Sequence, residues 1–236
     1  MIDADAIPRV PVHWKRATRI IRSRYPTIDL FEDIADPAEW PLLIAAEQKT
    51  NPRLMETIGN LDLVPPARRV AGSGASYLMA PFTQVSRDRP SRFSDGSYGV
   101  LYVAKTFEAA LLETMYHHAV FMRATAQPTG WTSQFREIGL DVNAMLHDFR
   151  GLAETSQVLA PNDYAAGQAL GTKLRAQNSD GVVYPSVRCP GGECAGLFYP
   201  DGALLPKQGR HFDYHWDGAR VDLYRDGGSR HVYRVI

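Results

Sequence analysis

Apolar residues recur along this chain in two rhythms, and the change of rhythm divides it. From Val12 to Arg24 the order Val-His-Trp-Lys-Arg-Ala-Thr-Arg-Ile-Ile-Arg-Ser-Arg mixes apolar and basic positions as a basic amphipathic helix does, ending near Pro26. A second helix is expected over Pro37 to Lys49, where Asp36 supplies a cap and Pro37 suits the first turn. Together these make residues 1–65 an N-terminal helical extension. Pro65-Pro66 closes it, because neither proline donates a backbone hydrogen bond and each pushes its predecessor out of helix.

From residue 66 to 236 the apolar runs shorten and glycines and turn pairs multiply. A strand is expected around Arg69-Val70, followed by a long loop rich in Gly, Ser, Pro and Arg from Ala71 to Ser97. Gly99 to Ala104 reads as a strand and Phe107 to Met122 as a helix, with Thr106 as its cap and Glu108 in its first turn. A strand over Arg136 to Asp141, a helix over Asp163 to Gln177 and a strand over Gly181 to Tyr184 follow. Beyond Asp201-Gly202 the pattern is a β-meander with hairpin turns at Asp217-Gly218 and Gly227-Gly228. The expected class is α+β, with more strand than helix after residue 66.

Composition narrows the function. A chain of 236 residues, 44% hydrophobic, can bury an ordinary core without staples. Its 26 basic and 26 acidic residues cancel, which argues against a polyanion binder held by bulk charge. No apolar run is long enough to span a bilayer, and Met1-Ile2-Asp3-Ala4-Asp5 opens acidic and polar, so no membrane association and a cytoplasmic location are expected. Cys189 and Cys194 lack the spacing of a redox or zinc pair and are expected to be reduced, structural thiols. No H-E-x-x-H motif or cluster with metal-ligand spacing appears, so no metal is expected.

Three segments carry candidate chemistry. On the helix after Thr106, Leu111, Met115, His118 and Met122 form one stripe that should face the core, while Glu113 and His117, four apart, project together from the other side. The pair is either a site that positions a polar substrate or a solvated surface pair. Arg87, Arg89 and Arg92 crowd the preceding loop, where guanidinium groups suit a diphosphate or simply face solvent. Tyr98 and Tyr102 offer rings to a heterocycle or to the core. Finally, Asp180-Gly181-Val182-Val183-Tyr184-Pro185-Ser186 runs a strand into a serine at its exit. Ser186 lacks a G-x-S-x-G elbow and a triad, so it is a hydrogen-bonding or turn residue rather than a nucleophile.

Taken in order, these segments resemble the RES-domain family, named for its Arg, Glu and Ser. In that family an arginine is followed by a tyrosine ten residues on and a glutamate eleven further, and Arg92, Tyr102 and Glu113 keep that spacing. Ser186 matches the family's serine motif, and Arg69 looks like its early arginine, with Arg68 as a rival. The resemblance runs from about Pro66 to Phe198. Arg92-Phe93-Ser94 stands where the family usually has Arg-Trp-Asn, a change expected to alter the rim of the site.

The resemblance implies an ADP-ribosyltransferase-like mixed β core with flanking helices, and a toxin that consumes NAD as its substrate. By that likeness Glu113 faces the sugar, Arg69 and Arg92 hold the diphosphate or ribose oxygens, and Tyr102 stacks near the nicotinamide, with Tyr98 a further candidate contact to NAD. Ser186 bonds the ligand and His117 orients a hydroxyl or the acceptor. Phosphate as acceptor makes an NAD phosphorylase, water a glycohydrolase, and a protein side chain a mono-ADP-ribosyltransferase. An Xre-like antitoxin is the implied protein partner. The basic face at Lys15, Arg16, Arg19, Arg22 and Arg24 offers a docking or homo-oligomer surface, or else a solvated helix face. The rival from another class is a nucleic-acid-binding module built on the arginine loop and exposed aromatics, disfavoured by the zero net charge.

Overall fold

A computed structural model of the chain describes residues 3–23, 59–152, 156–229 and 231–235, so the helix expected over Pro37 to Lys49 lies outside the described residues. The first described segment corrects the sequence reading. Instead of a helix over Val12 to Arg24, Arg9–Arg22 is a long strand, β1. Val12 and Trp14 are buried in strand alternation, and then the register slips between Trp14 and Ala17. Arg16 sits there at φ 57, and Asp141 holds the bulge, taking the Arg16 backbone N–H at 2.9 Å and Lys15 Nζ at 2.8 Å. One inserted residue shifts the inward positions to Ala17, Thr18 and Ile20. The apolar spacing across the bulge therefore loses its period of two.

The remaining strands are β2 (Leu101–Ala104), β3 (Thr132–Asp148), β4 (Gly181–Pro185), β5 (Glu193–Leu197), β6 (Ala203–Trp216), β7 (Val221–Asp226) and β8 (Val232–Arg234). Among the described residues they form one eight-stranded sheet in the order β1-β2-β5-β4-β3-β6-β7-β8. Because β1 also pairs antiparallel with β3 from Arg9 to Arg22, the first five strands close into a circuit. β3 and β4 run parallel and the other pairs antiparallel, so the sheet is mixed. The meander β6-β7-β8 extends from β3, with the expected turns at Asp217-Gly218 and Gly227-Gly228.

Among the described residues three α-helices flank the sheet, giving the α+β class: α1 (Ala75–Thr83), α2 (Phe107–Arg123) and α3 (Ala165–Ala176). Helix α1 interrupts the segment read as one loop from Ala71 to Ser97; Pro81 near its end masks its helical pattern. No strand forms at Arg69-Val70, where a short 3-10 turn over Pro66–Arg68 leads into unpaired extended chain. Two cores lie on opposite faces of the strands. Leu78, Met79 and Phe82 of α1 pack with Val12, Leu101, Val103, Leu140 and Val183. Alternate residues of the same strands, Ala104, Val182 and Tyr184 among them, meet α2 and α3. Each large apolar side chain fully buried in this way contributes roughly 1.5–3 kcal/mol.

Candidate active site

Helix α2 starts as its sequence demands. Thr106 Oγ1 accepts the Ala109 N–H at 3.3 Å, Glu108 lies in the first turn and Arg123 in the last, each sign suited to the helix dipole. Leu111, Met115, His118 and Met122 are buried as the stripe requires. Glu113 is therefore held on a rigid element. Its Oε1 accepts Ser186 Oγ at 2.6 Å and the backbone N–H groups of Val187 at 3.0 Å and Arg188 at 3.2 Å. Its Oε2 faces His117 Nε2 at 3.9 Å, too far for a hydrogen bond. Ser186 Oγ in turn accepts the Cys189 N–H at 3.0 Å, so the turn after β4 wraps around one carboxylate oxygen.

The Arg92 turn is built as tightly. Phe93 N–H donates to the Tyr102 hydroxyl at 2.9 Å, and that hydroxyl shares a second bond with Ser91 Oγ at 2.9 Å. Helix α3 presses on the same turn through Gly167 and Gly171, where a Cβ would overlap the carbonyl oxygens of Arg92 and Phe93. Arg92, only 7% exposed, donates Nη1 to the Ala160 carbonyl at 2.8 Å and lies over the Tyr164 ring at 4.5 Å. Phe93 is fully buried against Phe149 and Tyr184, and Ser94 Oγ donates to the Tyr98 carbonyl at 2.6 Å. The Arg-Phe-Ser departure thus lies beneath the site, not at its rim.

These elements enclose a cavity of about 340 Å³. Of the residues singled out in the sequence, Arg92, Tyr102, Glu113 and His117 line it, and Ser186 stands behind Glu113. Two others are placed elsewhere. Arg69 donates Nε to the Val64 carbonyl at 3.0 Å and Nη2 to the Leu61 carbonyl at 3.1 Å, tying down the chain before α1 rather than facing the cavity. Its rival Arg68 pairs with Asp180 and Asp201, also away from it. Tyr98 is a core residue whose hydroxyl donates to the Phe93 carbonyl at 2.5 Å. Arg87 and Arg89 of the same loop are exposed.

The cavity also takes residues that sequence reasoning missed: Arg19, Tyr164 and Tyr184. Arg19 Nη1 donates to the Tyr102 carbonyl at 3.0 Å, and burial lowers its pKa to about 10, against the pull of Tyr102. It stands on β1 opposite the Glu113 helix, where the sequence reading had placed a solvent-facing basic helix. No local pattern marks it, because it reaches the cavity through the pairing of β1 with both β2 and β3. The site thus holds two guanidinium groups, one oriented carboxylate and three tyrosines.

His117 is about half exposed. The protein around it lowers its pKa by desolvation, partly offset by Glu113, with Arg188 and Arg92 adding to the decrease. Tyr102 and Tyr184 are both pushed up by burial. Cys194, on the wall beside them, is pushed up to about 12, mainly by burial and by Glu113, and Cys189 is also raised by burial, so neither thiol is primed as a nucleophile. Among the described residues no group of three or more His, Cys, Asp or Glu gathers as a metal site, and no helix is long and apolar enough to cross a membrane.

A protein of Sinorhizobium fredii (strain NBRC 101917 / NGR234), described as uncharacterized protein y4oC, is 28% identical over 220 residues, covering 89% of this chain and 88% of its own. A chain in the crystal structure of the M. tuberculosis MbcT-MbcA toxin-antitoxin complex superposes with a TM-score of 0.46 at 14% identity, covering 87% of this chain and 88% of that one. The RES domain model matches residues 66–217, which include Arg92, Tyr102, Glu113 and Ser186, and the chain accordingly belongs to the RES-domain family.

Proposed function

We propose that this protein cleaves the nicotinamide–ribose bond of NAD and passes the ADP-ribosyl group to phosphate or water, acting as the toxin of a toxin-antitoxin pair. The observation that carries the reading is the Glu113 carboxylate, fixed by three donors on the wall of a cavity that also holds Arg19 and Arg92. As nicotinamide departs, positive charge grows on the sugar carbon, and an oriented carboxylate stabilises that charge more than it stabilises the ground state. Nicotinamide leaves as a neutral molecule, so the site needs no strong general acid.

Each remaining residue has a physical task in this scheme. Arg19 and Arg92 each spend one nitrogen on a backbone carbonyl and keep the rest of the fork for the diphosphate. The Tyr102 ring flanks the nicotinamide side, while its hydroxyl is occupied in holding the Arg92 turn. Ser186 orients Glu113. His117, with its lowered pKa, offers an uncharged imidazole at neutral pH to orient the acceptor oxygen that bonds to the sugar carbon. The toxin role, a cytoplasmic setting and an Xre-like antitoxin partner rest on family membership.

The test is nicotinamide release from NAD by purified protein, run with and without phosphate and with labelled NAD beside cell extract. The expected result is release that yields ADP-ribose 1″-phosphate with phosphate or ADP-ribose without it. Label appearing on a protein would assign the mono-ADP-ribosyltransferase reaction. Salt-sensitive binding of RNA or DNA without NAD turnover would overturn the proposal in favour of a nucleic-acid module.

A further inference from the structure

Tyr184 lines the cavity, and its hydroxyl has no part in the scheme above. It lies on β4 between Val183, which joins the α1 core, and the Ser186 turn, and it stands opposite Cys194 in the β4–β5 register. Its ring packs edge-on to Phe93 at 5.2 Å, and the residue is only 5% exposed. A phenylalanine would fill the same space. The hydroxyl makes no hydrogen bond among the described residues, whereas the other cavity tyrosine on a strand, Tyr102, makes two. Nor is it sealed within the core as the partnerless Tyr214 hydroxyl is; Tyr184 lines the cavity. The hydroxyl therefore faces the cavity without a protein partner among the described residues, where a bound molecule can supply one.

Position says what that contact is. Tyr184 lines the same cavity as Glu113 and Arg92, with its ring against Phe93, the neighbour of Arg92, and it lies two residues before Ser186, whose Oγ holds Glu113. Along a dinucleotide whose reacting sugar carbon faces Glu113 and whose diphosphate faces Arg92, the body of the nicotinamide-bearing ribose spans the two. We propose that the Tyr184 hydroxyl hydrogen-bonds a hydroxyl of that ribose and selects for an intact sugar in the site. This rests on the NAD reading given above.

Tyr184→Phe tests it through two measurements that move in opposite directions. The free variant should melt at the wild-type temperature or higher, because phenylalanine fills the same space and no protein partner is lost. Its Kd for NAD should rise roughly tenfold, the loss expected for about one hydrogen bond. An NAD analogue lacking one hydroxyl of the nicotinamide ribose should cost wild type a similar factor and cost the variant nothing further. A melting temperature several degrees lower would mean that the hydroxyl has a protein partner and would overturn the inference. Unchanged NAD affinity in the variant, beside a wild type that binds and turns over NAD, would overturn it alone. Wild type that neither binds nor cleaves NAD would overturn the functional proposal and this inference with it.

Discussion

Ser186 Oγ donates to Glu113 Oε1 at 2.6 Å, while the same Oγ accepts the Cys189 N–H at 3.0 Å. A hydroxyl has one proton, so this serine has none left to give a ligand. Its proton fixes the carboxylate, where the family resemblance had Ser186 hydrogen-bond the ligand.

Ser186→Ala should therefore lower kcat for nicotinamide release by about ten- to a hundredfold while changing KM little, since two backbone donors still hold Oε1. Chemical denaturation should show a loss of about 1.5–3 kcal/mol, the range for a hydrogen bond to a charged group. A large rise in KM with unchanged kcat would instead make Ser186 a ligand contact.

The two early arginines separate in the same assay. Arg19→Ala should raise the Kd for NAD at least tenfold, because Arg19 lines the cavity and its guanidinium is the only charged group that β1 contributes to the cavity wall among the described residues. Arg69→Ala should leave NAD affinity within about twofold and cost about 1–3 kcal/mol of stability through the freed Val64 and Leu61 carbonyls. Calorimetric titration and urea unfolding of both variants check the pair; the reverse pattern would restore Arg69 to the site.

Acid should weaken the fold through His118. Its ordinary pKa of 6.5 falls to about 4 in the folded protein, chiefly by burial and then by the charge of Arg22. The unfolded chain takes up this proton near pH 6.5, whereas the native state resists until about pH 4. Stability is thus full above pH 6.5 and falls across that window, by on the order of 3 kcal/mol from this group. His147 is also lowered by burial and adds in the same direction. Urea midpoints from pH 7.5 to 4 should show the decline, and His118→Phe should remove a large share of it.

Much of the site was readable because it rests on local rules. The Thr106 cap, the buried Leu111-Met115-His118-Met122 stripe and the Glu113–His117 pair follow from helix geometry alone. β4 running into Ser186 followed from a short apolar run ending at a proline. The failures are nonlocal. The bulge at Arg16 hid the alternation of β1, and only closure of β1 on both β2 and β3 brings Arg19 to the cavity. β5, Glu-Cys-Ala-Gly-Leu, has little β-branched or aromatic content and is a strand because β2 and β4 flank it. Arg69 had the right residue type near the right place in the order, but its Nε and Nη2 are held by carbonyls that no spacing rule reveals.

Binding and bond cleavage can be measured separately in Glu113→Gln, which keeps the size of the side chain and removes its charge. With wild-type and variant proteins at saturating NAD, single-turnover nicotinamide release should fall by about a hundredfold or more in the variant, while its Kd for NAD stays within a few-fold of wild type. Release at an undiminished rate, or an NAD affinity lost together with the charge, would contradict a carboxylate that acts on the departing bond.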